Sequence, residues 1–274
     1  MTLKNNYIAC RLQGRTGNLM FQIAHGFAKS LEYNRQFLVP SRGTDTAHLE
    51  RGLFRKFNFY IESIPEPNVS THIWAPFTYE LIAAPENDKP TVYAGWYQSE
   101  KYFGRYGQII RDAFSPTKDF VQKASTDFPW LQKSIVAAIN IRRGDYLTFP
   151  TRHPVVSLEY INEAIKRLPP HDYLIVLSDD FKWCKENIKG NNIVFPETYF
   201  DQDAMWLLSL CDHFIISNST FSWWGAYLSQ NLNKVVISPS TWFGPDVGED
   251  PRDVWCENWI KIDTKWEAGV IKLR

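Results

Sequence analysis

Apolar residues fall into two alternating rhythms along the chain. Short runs at Tyr7–Leu12, Phe37–Val39 and Val92–Tyr97 have the length and β-branched or aromatic content of strands. After the first of them Met20, Ile23, Ala24, Phe27 and Leu31 recur every three or four positions, which predicts a helix from about Leu19 to Tyr33. Pro40 stops the second run. The rhythm is lost over 41–91, where Phe54, Phe57, Phe59, Tyr60, Trp74, Phe77 and Tyr79 mingle with prolines at 65, 67, 76, 85 and 90. Short elements and irregular loops are expected there, with most of these aromatics in the core. A helix follows from about Ser99 to Ala113. Ser115 then caps another that begins at Pro116 and ends at Asp127-Phe128-Pro129.

The second half is more regular. A strand at 135–141 leads to a helix at 157–168, capped by Ser157 and closed by Pro169-Pro170. Next come a strand at Tyr173–Leu177, a helix near 181–188, a strand at 192–195, a helix at 202–211 and a strand at 213–217. Residues 218–225 open a last helix, followed by a strand at 234–237. Strands alternating with helices predict an α/β fold, a parallel sheet covered on both faces. The change of rhythm puts a domain boundary near 130, giving domains 1–130 and 131–274.

Composition narrows the partners. Lys+Arg and Asp+Glu are equal at 30 each, so the basic excess of a non-specific nucleic-acid binder is missing. No apolar run approaches the ~18 residues of a membrane span. The polar start, Met1–Asn6, has no apolar signal-peptide region. Cys10, Cys184, Cys211 and Cys256 form no C-x-x-C pair, so zinc is unsupported and reduced thiols in a soluble, cytoplasmic protein are expected. Aromatic content is high at 15%, with 11 Trp, which suits sugar stacking as well as core packing.

Four loops carry the chemistry. The strand at 135–141 ends in Arg142-Arg143-Gly144-Asp145. Ligands of open parallel sheets sit beyond the carboxyl ends of strands, and guanidinium binds phosphate oxygens in pairs. Gly14-Arg15-Thr16-Gly17-Asn18 joins the first strand to the first helix, either as a phosphate-facing loop or as a plain tight turn. Ser217–Ser222 offers hydroxyls and N–H groups at a helix start, for a pyrophosphate or simply as a cap. Ser178-Asp179-Asp180 adds carboxylates, which suit a ribose or the donor edge of a base. Together these describe a nucleotide-diphosphate site. Asp201-Gln202-Asp203 is a D-x-D that reads either as a metal ligand pair or as acidic residues favoured at a helix start. The six histidines have no ligand spacing and no G-x-S-x-G occurs, so no metal centre and no nucleophilic hydrolase are expected.

Three motifs, INIRRGDY at 139–146, SDDFKWCK at 178–185 and SNSTFSWWGAYL at 217–228, resemble those of glycosyltransferase family 11, the α-1,2-fucosyltransferases. GRTGNLMFQIA at 14–24, GWYQSEKYF at 95–103 and VISPSTWF at 236–243 extend the resemblance over nearly the whole chain, and it is to the bacterial members. The resemblance implies a GT-B-like architecture, two Rossmann-like domains with parallel sheets facing across a cleft. The N-terminal domain would take the acceptor and the C-terminal one the nucleotide sugar. It implies transfer of L-fucose from GDP-fucose to the 2-hydroxyl of a galactose-terminated glycan, with inversion and with neither metal nor other cofactor. Cell-surface polysaccharide assembly, of capsule or lipopolysaccharide O-antigen, is the family expectation, and peripheral membrane association is compatible with it.

By the same resemblance Arg142 holds the β-phosphate, with Asn140 and Arg143 beside it. Gly14, Arg15, Gly17 and Asn18 approach the pyrophosphate. Ser217, Asn218, Ser219, Thr220 and Phe221 contact phosphates or nucleoside, and Asp203 reads guanine. Asp145 is either the general base or a salt-bridge partner that organises Arg142 or Arg143. Two departures concern the donor: Asn140 stands where the family has histidine, and Arg15-Thr16 where it has glycine and leucine. They leave open a related transferase using another nucleotide sugar. A non-catalytic carbohydrate-binding protein is the third reading, and the retained arginines argue against it.

Overall fold

The computed structural model describes residues 6–40, 47–60, 70–86 and 89–274. The prolines at 65 and 67, and most of the polar start Met1–Asn6, lie outside the described residues. The chain forms two compact units, Met1–Ser115 with Asp250–Cys256, and Pro116–Glu249 with Glu257–Arg274.

The first unit holds β1 (Ile8–Cys10), α1 (Thr16–Glu32), β2 (Phe37–Pro40), α2 (Ala47–Arg51), β3 (Phe59–Tyr60), β4 (Thr71–Trp74), β5 (Thr91–Ala94) and α3 (Gly107–Phe114). Its strands form one parallel sheet in the order β3-β2-β1-β5-β4. Phe57 of the irregular stretch packs ring on ring with Phe27, Phe37 and Phe114, and Phe54 and Phe77 are buried, so these three are core. Tyr79 is half-buried and Trp74 is 62% exposed at the end of β4, while the side chains of Phe59 and Tyr60 lie outside those described. The helix expected over Ser99–Ala113 is broken. Two 3-10 turns, Glu100–Tyr102 and Gly104–Tyr106, precede α3. Gly104 and Gly107 weaken a continuous helix there, and the Ser99 hydroxyl caps the first short turn.

Burial in this unit makes a pH-dependent contribution to stability. His25 of α1 is fully buried, stacked on Tyr97 at 3.9 Å and edge-on to Tyr93 and Tyr102. Desolvation, then the charge of Lys29, hold its pKa well below the ordinary value near 6.5. Above pH 6.5 the imidazole is neutral folded or unfolded, and its contribution is fully present. As pH falls below 6.5 the unfolded chain binds a proton that the folded unit refuses, so stability drops, by up to about 1.4 kcal/mol per pH unit for this group. His153 and His213 are also depressed, chiefly by burial, and add to the slope. Urea unfolding at pH 7.5 and 5.5 should show this loss in the native sequence and a smaller one in His25→Phe, which keeps the ring stack. An unchanged pH dependence in that variant contradicts the assignment.

The second unit holds α4 (Lys118–Asp127), β6 (Val136–Ile141), β7 (Val155–Val156), α5 (Leu158–Arg167), β8 (Tyr173–Ser178), α6 (Phe181–Asn187) and β9 (Ile193–Val194). It continues with α7 (Asp201–Ser209), β10 (His213–Ile216), α8 (Thr220–Leu228), β11 (Val236–Pro239), β12 (Ile260–Ile262), β13 (Thr264–Glu267) and β14 (Val270–Leu273). α4 lies in this unit because Phe120 packs against Tyr199 and Trp206, so the chain leaves the first unit at Ser115 rather than near 130. Its cap is Thr117, whose hydroxyl accepts from the Phe120 N–H at 3.1 Å; Ser115 and Pro116 stand outside the helix.

The main sheet is parallel, in the order β12-β11-β10-β6-β8-β9. Alternate residues of β6 point to opposite faces. Ala137, Ile139 and Ile141 join Tyr160, Ile161 and Ala164 of α5 and Cys184 of α6 in one apolar cluster. Asn140 faces the other way, toward α8, where Ser222 bonds to it. A small sheet, β13-β14-β7, lies apart from the main one. Its strand Thr264–Glu267 has three polar residues and one tryptophan and is mostly exposed, so no apolar run marks it in the sequence. No helix among the described residues is long and apolar enough to cross a membrane.

Candidate active site

The order of strands locates the site in the second unit. From β6 the chain runs outward through β8 to β9, then returns to the opposite side of β6 through β10 and on to β11 and β12. The reversal falls between β6 and β10, and ligands of open parallel sheets bind outside the carboxyl ends of strands at such a switch point. Asn140 is in register with Ile216 and Ile141 with Ser178. The residues that follow these strand ends, Arg142, Asp179 and Ser217, are therefore brought to the same edge.

The arginines do not wait there as bare charges. Arg142 donates from Nη1 to Asp179 Oδ2 at 2.7 Å and from Nη2 to Asp145 Oδ1. Arg143 donates from Nε to Asp180 Oδ2 at 3.0 Å, and its guanidinium lies 4.0 Å over the Trp183 ring. Its main-chain N–H donates to Asp179 Oδ1 at 2.8 Å. Gly144 leaves room for this cluster, since a Cβ there would sit 2.4 Å from Asp179 Oδ2 and push that side chain aside. Asp180 also caps α6 through the Trp183 N–H at 3.1 Å. Burial alone would raise its pKa, but that N–H and Arg143 hold it below the ordinary carboxylate value. Asp179 and Asp180, assigned from sequence to a ribose or base, are thus the arginines' partners. Asp145 is the salt-bridge partner of Arg142, one of its two expected roles.

Asn140 is 8% exposed and its side chain is spent inside the fold. Its Nδ2 donates to the Leu177 carbonyl at 3.3 Å, and its Oδ1 accepts from the Ser222 hydroxyl. Ser222 Oγ also lies 2.9 Å from Ser217 Oγ. This chain ties β6, β8 and the start of α8 together. It also accounts for an asparagine here, since both an acceptor and a donor are used. Tyr160 fixes the neighbouring strand ends, its buried hydroxyl donating to the Ile216 carbonyl at 2.8 Å.

The loop from Ser217 to Phe221 enters α8 with Ser219 as the cap, its hydroxyl accepting from the Phe221 N–H at 3.3 Å. The cap reading holds, and it leaves other first-turn N–H groups without an intrahelical acceptor, an electropositive edge. Asn218 is buried and donates from Nδ2 to the carbonyls of Pro154 and Trp242. Thr220 and Phe221 are partly exposed at the same edge. Tyr146 closes the site from the β6 side, donating its hydroxyl to the Asn218 carbonyl at 3.2 Å and stacking on His153 at 5.1 Å. Burial pushes its pKa up to about 12, so the phenol stays neutral. Tyr146 stands in the same motif as the arginines, but its residue type alone does not mark it for the site.

Asp203 lies in the first turn of α7. Burial raises its pKa, with Lys123 of α4 acting in the opposite sense. Among the described residues no group of three or more His, Cys, Asp or Glu is arranged to hold a metal ion.

Gly14, Arg15, Gly17 and Asn18 belong to the first unit. Gly14 takes φ +85°, a conformation that favours glycine, and a Cβ would lie 2.4 Å from Asn18 Nδ2. Gln22 braces the loop from α1, exchanging bonds of 2.9 and 3.2 Å with the Gln13 main chain. Asn18 Oδ1 accepts from Gln98 Nε2 at 3.1 Å. Arg15 is exposed at the N-terminus of α1 and does not cap it through its side chain.

Comparisons with known proteins bear on the fold and the family. An Escherichia coli α-1,2-colitosyltransferase is 27% identical over 93% of this chain and 99% of its own length. Galactoside α-(1,2)-fucosyltransferase 1 of Alouatta belzebul is 26% identical over 79% of this chain and 63% of its own length. Among solved structures, NodZ α-1,6-fucosyltransferase soaked with GDP-fucose superposes with a TM-score of 0.52 at 12% identity, covering 82% of this chain and 93% of that one. POFUT1 in complex with GDP-fucose gives 0.53 at 13% identity, covering 86% and 98%. These structural likenesses establish the fold, which is of the GT-B type. The family model "Glycosyl transferase family 11" matches residues 4–263, and the chain belongs to that family.

Proposed function

We propose that this protein is an inverting, metal-independent galactoside α-1,2-fucosyltransferase. It moves L-fucose from GDP-fucose to the 2-hydroxyl of a galactose-terminated glycan. The carrying observation is the meeting of Arg142 and the α8 N-terminus at the switch point between β6 and β10. The second unit takes the nucleotide sugar and the first takes the acceptor. The acceptor hydroxyl attacks C1 from the face opposite the diphosphate and gives up its proton to water. The C1–O bond to phosphate breaks, and negative charge grows on the leaving oxygen. Guanidinium and helix-start N–H groups stabilise that charge where it develops. A cytoplasmic role in cell-surface polysaccharide assembly accords with the family.

A second donor has a specific observation behind it. A relative aligned over nearly its whole length is a colitosyltransferase, so colitose is an alternative to fucose at the same site. A panel of GDP-fucose, GDP-colitose and GDP-mannose, scored by released GDP with a lactose-type acceptor, separates the two. GDP release from GDP-fucose, unaffected by EDTA, is expected. Preference for GDP-colitose replaces the donor, activity restored only by Mn²⁺ overturns the metal-free mechanism, and glycan binding with no nucleotide released overturns transfer.

A further inference from the structure

The charges at the switch point do not suit an anion as they stand. Arg142 and Arg143 face the carboxylates of Asp145, Asp179 and Asp180, two positive groups against three negative. Both terminal nitrogens of Arg142 already hold a carboxylate. A diphosphate arriving there meets net negative charge, and like charges at such distances repel. One carboxylate has to give way.

The two that hold Arg142 are not equivalent. Asp179 is built in: it also accepts the Arg143 N–H at 2.8 Å, it fills the space that Gly144 leaves, and its side chain is 24% exposed. Asp145 lies on the short 3-10 turn after the arginines, and its side chain is 36% exposed. Resting on the transferase reading above, we propose that Asp145 is a resident counter-ion which the entering diphosphate displaces from Arg142, while Asp179 stays as the positioning residue that aims the guanidinium. Without Asp145 the remaining side chains are two positive groups against two negative, where before they were two against three, and the phosphate gains the vacated face of the fork. The free site then rejects stray monoanions, which cannot compete for that face as a diphosphate does.

The two aspartates should respond with opposite sign, which a merely structural role for both does not produce. Calorimetry with GDP, and separately with inorganic pyrophosphate, is run on the full chain and on Asp145→Asn, Asp179→Asn and Gly144→Ala, each checked by circular dichroism. Asp145→Asn is expected to bind both anions about fivefold more tightly, because the competitor is neutralised. Asp179→Asn is expected to bind about tenfold more weakly. Gly144→Ala, which crowds Asp179 without changing any charge, should weaken binding in the same direction. Weaker binding by Asp145→Asn, or equal binding by Asp145→Asn and Asp179→Asn, overturns the exchange. If pyrophosphate follows the stated order while GDP binds no better, the exchange stands and the guanosine-nucleotide reading falls. If neither anion binds the native chain, both fall.

Discussion

Arg142→Ala should lower the rate of GDP release in the presence of acceptor by a hundredfold or more. The side chain is 24% exposed at the carboxyl end of β6, held from two sides by Asp179 and Asp145. Its fixed position matters more than its charge, because a donor already in place needs no reorganisation as the leaving group gains charge. Removing one such donor costs about 3–4 kcal/mol of transition-state stabilisation. Alanine also leaves two carboxylates facing the diphosphate with no cation between them, which adds repulsion. Arg142→Lys restores the charge but not the fork, since an ammonium is a point donor that cannot hold Asp179 and a phosphate in the paired geometry of a guanidinium. It should recover only part of the loss. Steady-state kinetics of both variants, at saturating donor and with folding verified, test this. Turnover near the native rate in Arg142→Ala removes the arginine from the mechanism.

What could be read in the sequence was local. The strand Val136–Ile141 is apolar but for Asn140 because β6 is buried on both faces, and the abrupt change to Arg142 marks its carboxyl end. Ser157 is a cap in sequence and in structure, its hydroxyl accepting from the Tyr160 N–H at 3.1 Å. Ser115 failed as a cap because Thr117, two residues on, serves the same chemistry, and residue type does not choose between them. The pairing of Arg142 with Asp179 spans 37 positions and depends on the register of β6 against β8. Ser222 meets Asn140 across 82 positions, through the fit of α8 on the sheet. The two departures from the family motifs also part company in three dimensions: Asn140 is consumed by internal bonds, whereas Arg15 is exposed.

Trp223→Ala should be the most damaging change to stability away from the charged cluster, and it should reach the site through α8. Trp223 is fully buried, stacked on Tyr227 at 4.7 Å, edge-on to Trp224 at 5.0 Å and tilted against Trp259 at 5.4 Å. Truncating a buried tryptophan removes its transfer free energy and leaves a cavity that rigid neighbours fill poorly, about 3–5 kcal/mol in all. The helix is short, Thr220 to Leu228, so its position is set by packing rather than by its own propensity. Gly225 makes the point from the other side: a Cβ there would lie 2.5 Å from Leu208 Cδ1, so α8 sits on α7 with no slack. Loss of the Trp223 anchor lets the first turn move, and with it the Ser219 cap and the N–H groups proposed to bind the diphosphate. The expected result is a lower urea midpoint together with weaker GDP binding, whereas Trp223→Phe, which keeps an aromatic plane against Tyr227, should lose less of both. If Trp223→Ala unfolds earlier yet binds GDP as the native chain does while folded, the α8 N-terminus is not what holds the nucleotide.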